Sequence, residues 1–144
     1  MTRTPQPTAQ DIRDLVAFLP KLYADGFTPI KSVHSKDADG EIVAFPWPEY
    51  DQTVEDFLRV ARRDCWIDRG YVPAEVAKLI ESEEAIRQAT LPQVRAMITY
   101  FVRGERFSDG HWGRMIEGGY VRRILERLAA LEAEPDEGSG RSRR

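Results

Sequence analysis

The sequence has very few of the residues that cross-link proteins or bind metal ions. Cys65 is the only cysteine, and His34 and His111 are the only histidines. A single cysteine excludes a disulfide framework within the chain, and the residue spacing matches no zinc motif built from cysteine, histidine and glutamate. Cys65 falls on an apolar helix face, so we expect a buried, unreactive thiol. We accordingly predict no metal and no cofactor.

The chain also lacks a long apolar run and an excess of positive charge. No apolar stretch approaches the length of a membrane span, and the polar residues 1–10 lack the apolar core of a signal peptide. The formal net charge of −3 argues against a general nucleic-acid or membrane binder. We therefore expect a cytoplasmic protein that does not bind membranes.

Lysine is scarce as well, because only 4 of the 21 basic residues are lysine and the others are arginine. A GC-rich genome explains such a bias through its arginine codons. A functional explanation uses the forked guanidinium group, which binds carboxylates and phosphates in a way that lysine cannot. The sequence is compatible with both explanations.

The 144 residues have the length of one domain. We predict disordered tails at residues 1–7 and 134–144, the second of which has no apolar residue to anchor it, and a single globular domain over residues 8–133. Apolar periodicity predicts a mainly helical α+β domain with five or six helices and one small antiparallel β-hairpin. The helices at 90–103 and 120–132 are the expected core pair.

Two capping boxes mark the clearest helix starts. Thr8 is followed three residues later by Asp11, and Thr90 is followed by Gln93 at the same spacing. In a capping box, each of the two side chains satisfies a backbone amide of the other residue. The first helix is predicted to have an apolar face that runs to Leu19, and Pro20 and Gly26 bracket its end.

Shorter elements are indicated by turn and cap residues. Asp39-Gly40, between two apolar stretches, predicts the turn of the hairpin. A second helix should follow Asp51 or Thr53, and Pro73 can open a third. A short helix is predicted from Ser108 or Asp109 to Glu117.

The connection between the two core helices, residues 102–120, contains more arginine, glutamate, histidine, tryptophan and glycine than a turn and a helix cap require. The run VRGERFSDGHWGRMIEGGYVRRILERL, residues 102–128, resembles the C-terminal hallmark of a bacterial family of domains of unknown function, numbered 6508. The helix containing Leu91, the stretch around Trp66 and Tyr71 and the opening helix from Ile12 to Leu19 are also similar to it. The resemblance implies a domain boundary and carries no reaction or ligand.

The charged residues at the start of this connection have two interpretations. Arg103, Glu105 and Arg106 follow the end of a helix, where Glu105 could pair with either arginine and fix the loop in a salt-bridge lattice. Alternatively, the two arginines bind a phosphate or carboxylate group of a ligand.

The next residues are equally ambiguous. His111 titrates near neutral pH and could act as a general base oriented by Glu117 or Asp109, or it could donate a hydrogen bond to a carbonyl inside the fold. Trp112 could form a stacking surface for a base or ring together with Phe107, Tyr120 and Arg106, or it could belong to the core. The candidate ligand-binding residues are therefore Arg103, Glu105, Arg106, His111 and Trp112, and the candidate catalytic residues are His111 and Glu117.

Three classes of function are compatible with these residues. We favour a small interaction or regulatory module that binds a protein or an anionic small ligand through the Arg103–Glu117 surface. The alternative is an enzyme acting on a phosphate- or nucleotide-bearing substrate with His111 as acid and base, which is disfavoured because no nucleophile, metal site or clear acid–base pair accompanies it. A nucleic-acid adaptor that uses the arginines of the last helices is the third. The sequence indicates no oligomeric state.

Overall fold

The computed structural model describes residues 6–36, 42–105 and 110–133, and for residues 31–36 and 42–48 it describes only the backbone. Residues 1–5 and 134–144 of the predicted tails lie outside the described residues, as do the predicted Asp39-Gly40 turn and the stretch 106–109. The described chain forms eight α-helices, two strands and the 3-10 turn Asp64–Trp66: α1 (Ala9–Val16), α2 (Leu19–Leu22), β1 (Ile30–Lys36), β2 (Ile42–Tyr50), α3 (Gln52–Ala61), α4 (Pro73–Ile80), α5 (Glu83–Arg87), α6 (Leu91–Gly104), α7 (His111–Glu117) and α8 (Tyr120–Ala133).

The fold is mainly helical, as predicted, but it contains more and shorter helices than the expected five or six. The first predicted helix is in fact two, because α1 ends at Val16 and α2 begins at Leu19. Pro20 lies in the first turn of α2 rather than at the end of a helix. Proline is tolerated there because an amide in the first turn has no partner within its own helix.

The predicted capping boxes are present at α1 and α6. The Thr8 side chain accepts from the Asp11 amide while the Asp11 carboxylate accepts from the Thr8 amide, and Thr90 and Gln93 form the same pair of bonds. α6 also ends at Gly104, where the sequence indicated. Local side-chain chemistry therefore fixes where α6 begins.

The two strands form a two-stranded antiparallel sheet. Ile30 lies opposite Tyr50 and Lys36 lies opposite Ile42, with an irregularity in the register near each end of the ladder. The register places Tyr50, the last residue of β2, beside the start of β1 and next to α3. Tyr50 is buried, with 8% of its surface exposed, and its position matters for the site below.

The core lies around α6 and α8, the predicted core pair. These helices contact each other, but α6 packs most extensively against α4, and α8 packs most extensively against α1. The largest fully buried side chains include Trp66, Phe101 and Leu125. The pair is thus central, although its main partners are the shorter helices on either side.

Cys65 is buried, as predicted, but not on the predicted helix. α3 ends at Ala61, and Cys65 lies in the 3-10 turn that follows. Burial, together with the nearby charge of Asp11, raises the pKa of the Cys65 thiol to about 11. The thiol is therefore neutral near pH 7, which agrees with the expected unreactive role.

Candidate functional site

The end of α6 is joined to the start of α7 by the Glu105 carboxylate. Its Oε2 atom accepts from the Gly110 amide at 2.8 Å, and its Oε1 atom accepts from the Trp112 amide at 2.9 Å. A carboxylate at a helix start satisfies amides that have no partner within the helix and faces the positive end of the helix dipole. Glu105 is therefore the residue that fixes α7 relative to α6.

The predicted caps of α7 are wrong in position. The helix begins at His111, so neither Ser108 nor Asp109 is the residue before its first turn. Gly110 occupies that place, with a φ of 86° in the left-handed region that favours glycine. Because Gly110 has no side chain, the capping oxygens come from Glu105, five residues earlier in the chain.

Tyr50 holds the same carboxylate from the opposite side. Its hydroxyl lies 2.9 Å from each carboxylate oxygen of Glu105, and the Gly113 amide approaches that hydroxyl at 3.4 Å. Burial and the hydrogen bond to Glu105 both raise the pKa of Tyr50. The carboxylate thus ties the end of β2, the end of α6 and the start of α7 together. We call this arrangement of Tyr50, Glu105, Gly110 and Trp112 the joint. Sequence reasoning missed Tyr50, because nothing local connects it with Glu105.

The predicted salt-bridge lattice around Glu105 is not formed within the described residues. Glu105 has no ion pair there within 4 Å, and Arg103 points elsewhere. Arg106 lies outside the described residues. The described partners of Glu105 are backbone amides and a phenol rather than Arg103, because α7 folds back onto the end of α6, a packing that helix periodicity does not reveal.

A groove of about 440 Å³ opens beside this joint and is lined by Arg62, Ile67, Val102, Arg103, Glu105 and Trp112. We call it the Arg62–Arg103 groove. The Arg62 guanidinium lies over the Trp112 ring, 5.5 Å from the ring centroid, and the Arg103 guanidinium lies at the same distance over the ring of Tyr71. Neither arginine has an ion pair with a described residue within 4 Å.

Trp112 combines the two roles that the sequence left open. Its ring packs against Tyr50, with centroids 5.1 Å apart, and against Phe101 at 6.5 Å. Its indole N–H donates to the Val102 carbonyl at 3.3 Å. The ring is thereby held in place by the core while one part of it lines the groove. Trp112 is a rigid wall rather than a mobile surface residue.

The far wall of the groove is the loop after α3, which Arg95, Thr99 and Arg103 of α6 contact. The Thr99 hydroxyl accepts from the Asp68 amide at 2.9 Å, and the Arg95 guanidinium donates to the Ile67 carbonyl at 3.0 Å. Arg103, one helical turn beyond Thr99, covers Tyr71. One face of α6 therefore positions both the loop and one of the two groove arginines.

His111 faces away from this groove, into a separate cleft of about 450 Å³. That cleft is lined by Ala77, Ile80, Glu81, Tyr100, His111, Arg114, Met115 and Tyr120. The imidazole packs edge-on against Tyr100 at 5.4 Å and hydrogen-bonds to the Tyr100 backbone. Its Nε2 atom is fully buried without a hydrogen-bond partner and lies against Gly104, where a Cβ atom would approach it to 2.1 Å.

The environment of His111 makes the imidazole a weaker base than a free histidine. Burial, followed by the positive charge of Arg114, lowers the pKa of His111, so the ring is neutral near pH 7. The Nε2 atom, buried against α6, is not accessible to a substrate. His111 is a packing residue that Gly104 accommodates by having no side chain.

A model of the DUF6508 family, described as a family of unknown function, matches residues 7–134. The chain belongs to this family. The resemblance found in the 102–128 run is thereby confirmed. No curated protein and no solved structure matches the chain. The DUF6508 assignment covers the whole of the described fold and brings no activity with it, so any function has to be inferred from the groove itself.

The structure divides the predicted site residues of this DUF6508 domain among different places. Arg103, Glu105 and Trp112 line the Arg62–Arg103 groove, whereas His111 lies in the other cleft. Glu117 is exposed and lines neither of these. His111 and Glu117 therefore do not share a cleft, and Asp109, the other residue expected to orient His111, lies outside the described residues.

Sequence reasoning missed two groove residues, Arg62 and Ile67. Both precede the stretch around Tyr71, which had entered only through the family resemblance. The signal that could have found them is weak: an arginine just after the end of a helix and an apolar residue in a loop are common features. Only the packing of the loop on α6 brings them to Arg103.

The remaining arginines of the last helices are used within the fold. Arg122 pairs with Glu126 at 3.2 Å, as its spacing predicted, and Arg123 pairs with Glu83 at 2.9 Å. Arg127 donates to the Ala89 carbonyl at 2.8 Å. These contacts join α8 to α5 and the loop after it. Each of the three arginines of α8 therefore has a partner within the described fold.

Within the described ranges, no three histidine, cysteine or acidic side chains come close enough to hold a metal ion. No helix in that part of the chain is long and apolar enough to cross a membrane.

Proposed function

We propose that this DUF6508 domain is a binding module without catalytic activity and that its ligand presents an anionic group, a carboxylate or a phosphate, to the Arg62–Arg103 groove. The observation that carries the proposal is the pair of guanidinium groups that open on one groove, each resting on an aromatic ring and neither ion-paired with a described residue. The proposed site is smaller than the Arg103–Glu117 surface expected from the sequence, because it includes Arg103, Glu105 and Trp112 but not Glu117.

Stacking leaves the binding edge of a guanidinium group free. A guanidinium that lies over an aromatic ring uses its flat face for the contact, while its N–H groups point outward in its own plane. Those N–H groups match the two oxygens of a carboxylate or phosphate and form paired, charge-assisted hydrogen bonds. The guanidinium carbons of Arg62 and Arg103 lie 5.5 Å from the ring centroids of Trp112 and Tyr71, and neither group has an ion-pair partner among the described residues, so their N–H groups can bind an oxyanion.

Glu105 also lines the groove, and its negative charge needs an explanation in a site for anions. Its carboxylate accepts from the Tyr50 hydroxyl and from the amides of Gly110 and Trp112. These four contacts occupy both oxygens and offset the charge with the positive end of α7. Glu105 thus shapes the groove without competing for the two arginines.

The small-ligand version of the proposal is better supported than the protein-partner version. A protein interface needs a contiguous apolar patch, and Val72 is the one large apolar side chain that is exposed among those described. A single exposed valine does not make such a patch. The groove, by contrast, has the size of a small-molecule site.

Isothermal titration calorimetry with phenyl phosphate and benzoate tests the proposal. Each probe combines an oxyanion with an aromatic ring that can stack on Trp112. We expect saturable binding to the wild type that weakens as sodium chloride is added, and a loss of affinity of about tenfold or more in Arg103→Ala and in Arg62→Ala, since a hydrogen bond between charged groups contributes about 1.5–3 kcal/mol.

Arg59→Ala is the matched control, because it removes the same charge from α3 at a residue that is exposed and paired with Asp56 at 3.1 Å. It should bind both probes as the wild type does. Circular dichroism establishes that each variant is folded. Equal affinities in Arg103→Ala, Arg62→Ala and the wild type would exclude the groove as the site.

A further inference from the structure

Arg95 is a buried cation whose charge the fold does not neutralise. It is the only charged residue among the described buried side chains, with 9% of its surface exposed. Its one hydrogen bond goes to the Ile67 carbonyl at 3.0 Å, its Nε atom is buried without a partner, and no described carboxylate lies within 4 Å. Buried charges in proteins are normally paired, because burial without a counter-charge is strongly unfavourable.

The acidic groups on and around the loop that Arg95 contacts do not pair with it. The Cys65 thiol is neutral near pH 7, because burial raises its pKa to about 11. The Asp11 carboxylate is bound by Arg63 at 3.1 Å and by the Thr8 amide at 2.8 Å. The Asp68 carboxylate accepts from the Gly70 amide at 2.9 Å. None of these groups supplies the missing counter-charge.

Ile67 links Arg95 to the Arg62–Arg103 groove. Its carbonyl accepts the hydrogen bond from Arg95, and the same residue lines the groove. An anion in the groove would therefore face Arg62 and Arg103 directly and would lie across Ile67 from the Arg95 guanidinium. The intervening residue is itself 8% exposed, so water screens this third charge less than it screens a charge at the surface.

We propose that the groove is built for a doubly charged oxyanion of the phosphomonoester type, with Arg95 acting as a positioning residue that holds Ile67 and adds a third positive charge behind it. This inference rests on the proposed function, because it concerns the same groove. It adds the charge class of the ligand, which Arg62 and Arg103 alone do not specify.

Coulomb energy is proportional to the charge of the ligand, and this gives a quantitative signature. If removal of the Arg95 charge lowers the affinity for a monoanion by a given factor, it lowers the affinity for a dianion by the square of that factor. We expect Arg95→Met to lower the affinity for benzoate by about threefold. The affinity for phenyl phosphate at pH 8, where this probe is a dianion, should fall by about tenfold. The preference for the dianion should fall by about threefold as a result.

Thermal unfolding supplies a second readout that a purely structural role would not produce. Arg95→Met keeps a long side chain but removes the unpaired charge, so in a buffer free of multivalent anions it should melt at or above the temperature of the wild type. Phenyl phosphate should then raise the melting temperature of the wild type more than that of Arg95→Met. Arg95→Lys, which keeps the charge, should retain the preference for the dianion.

Each outcome decides the matter. A variant Arg95→Met that is unfolded, or that melts lower than the wild type by an amount phenyl phosphate does not change, would show that Arg95 only clamps the loop and would overturn the inference. Equal losses for benzoate and phenyl phosphate would do the same, as would an Arg95→Lys variant that behaves like Arg95→Met. If the wild type binds neither probe, the proposed function fails first and the inference fails with it.

Discussion

The two sides of α7 put consecutive residues to opposite uses. On one side, Trp112 lines a groove that contains two stacked arginines without described ion-pair partners. On the other side, His111 lies against Gly104 with its Nε2 atom buried and its pKa lowered. The first side leaves the charged hydrogen-bond donors of two arginines available in the groove, whereas the second side buries the Nε2 atom of His111.

The difference shows that a chemically rich segment need not be a single site. Arg103, Glu105, His111 and Trp112 are close in sequence, but α7 folds back on the end of α6 and separates them. Glu105 makes the separation possible, because its bonds to Tyr50 and to the amides of Gly110 and Trp112 determine which way α7 turns. The joint and the groove are therefore neighbouring structures with different purposes.

The largest effect should come from Glu105→Ala. This change leaves the Gly110 and Trp112 amides and the Tyr50 hydroxyl without their acceptor, and we expect the free energy of unfolding to fall by about 2–4 kcal/mol. Urea denaturation followed by circular dichroism measures it. Glu117→Ala, which removes an exposed carboxylate from the other end of α7, should change stability by less than about 0.5 kcal/mol. Similar values for both variants would mean that the joint does not depend on Glu105.

Gly104→Ala tests the packing on the His111 side. The new Cβ atom would meet Nε2 of the imidazole at 2.1 Å, so the ring has to move, and we expect a loss of about 1–3 kcal/mol. Gly70→Ala is the control, because its Cβ atom would meet nothing closer than 3.7 Å. The double variant Gly104→Ala with His111→Ala should recover part of the loss. A double-mutant cycle with no coupling energy would contradict the close contact.

Tyr50→Phe should have a smaller effect, confined to the joint. It removes one hydroxyl from a carboxylate that keeps its two amide donors, so the expected loss is about 1 kcal/mol. Combined with Glu105→Ala, it should add little, since the hydroxyl has then already lost its acceptor. Fully additive losses in the double variant would place Tyr50 outside the joint.

The smallest effect should be the pH dependence contributed by His111. Because the pKa of His111 is lowered in the fold from 6.5, the unfolded chain binds a proton below about pH 6.5 that the folded chain does not. The wild type should therefore lose stability, relative to His111→Gln, as the pH falls from 6.5 toward the folded pKa, by less than about 1 kcal/mol. Urea titrations at pH 7.5, 6.5 and 5.5 measure the difference. A stability of the wild type, relative to that of His111→Gln, that stays constant or increases as the pH falls would refute the lowered pKa.

Part of the candidate site was predictable, and part was not. Arg103 and Trp112 were chosen from their residue types, and both line the groove. Arg62 was not, because it lies about forty residues earlier and nothing in its own surroundings marks it. The predicted pairing of Glu105 with arginine is wrong among the described residues, since charge alone does not reveal that a helix start competes for the same carboxylate.

The sequence by itself determined the local features of this protein. The capping boxes at Thr8 and Thr90, the end of α6 at Gly104 and membership in the DUF6508 family all follow from residues within a few positions of each other or from a contiguous run. Such features rest on short-range bonds, which a sequence shows directly.

The tertiary structure decided the rest: which side of α7 each residue faces, that Tyr50 and Glu105 meet, and that Arg62 and Arg103 share a groove behind which Arg95 lies buried. These outcomes depend on how β2, the loop after α3 and α7 pack on α6. Packing of this kind is set by the summed shape and burial of many side chains far apart in the chain, so no local pattern encodes it.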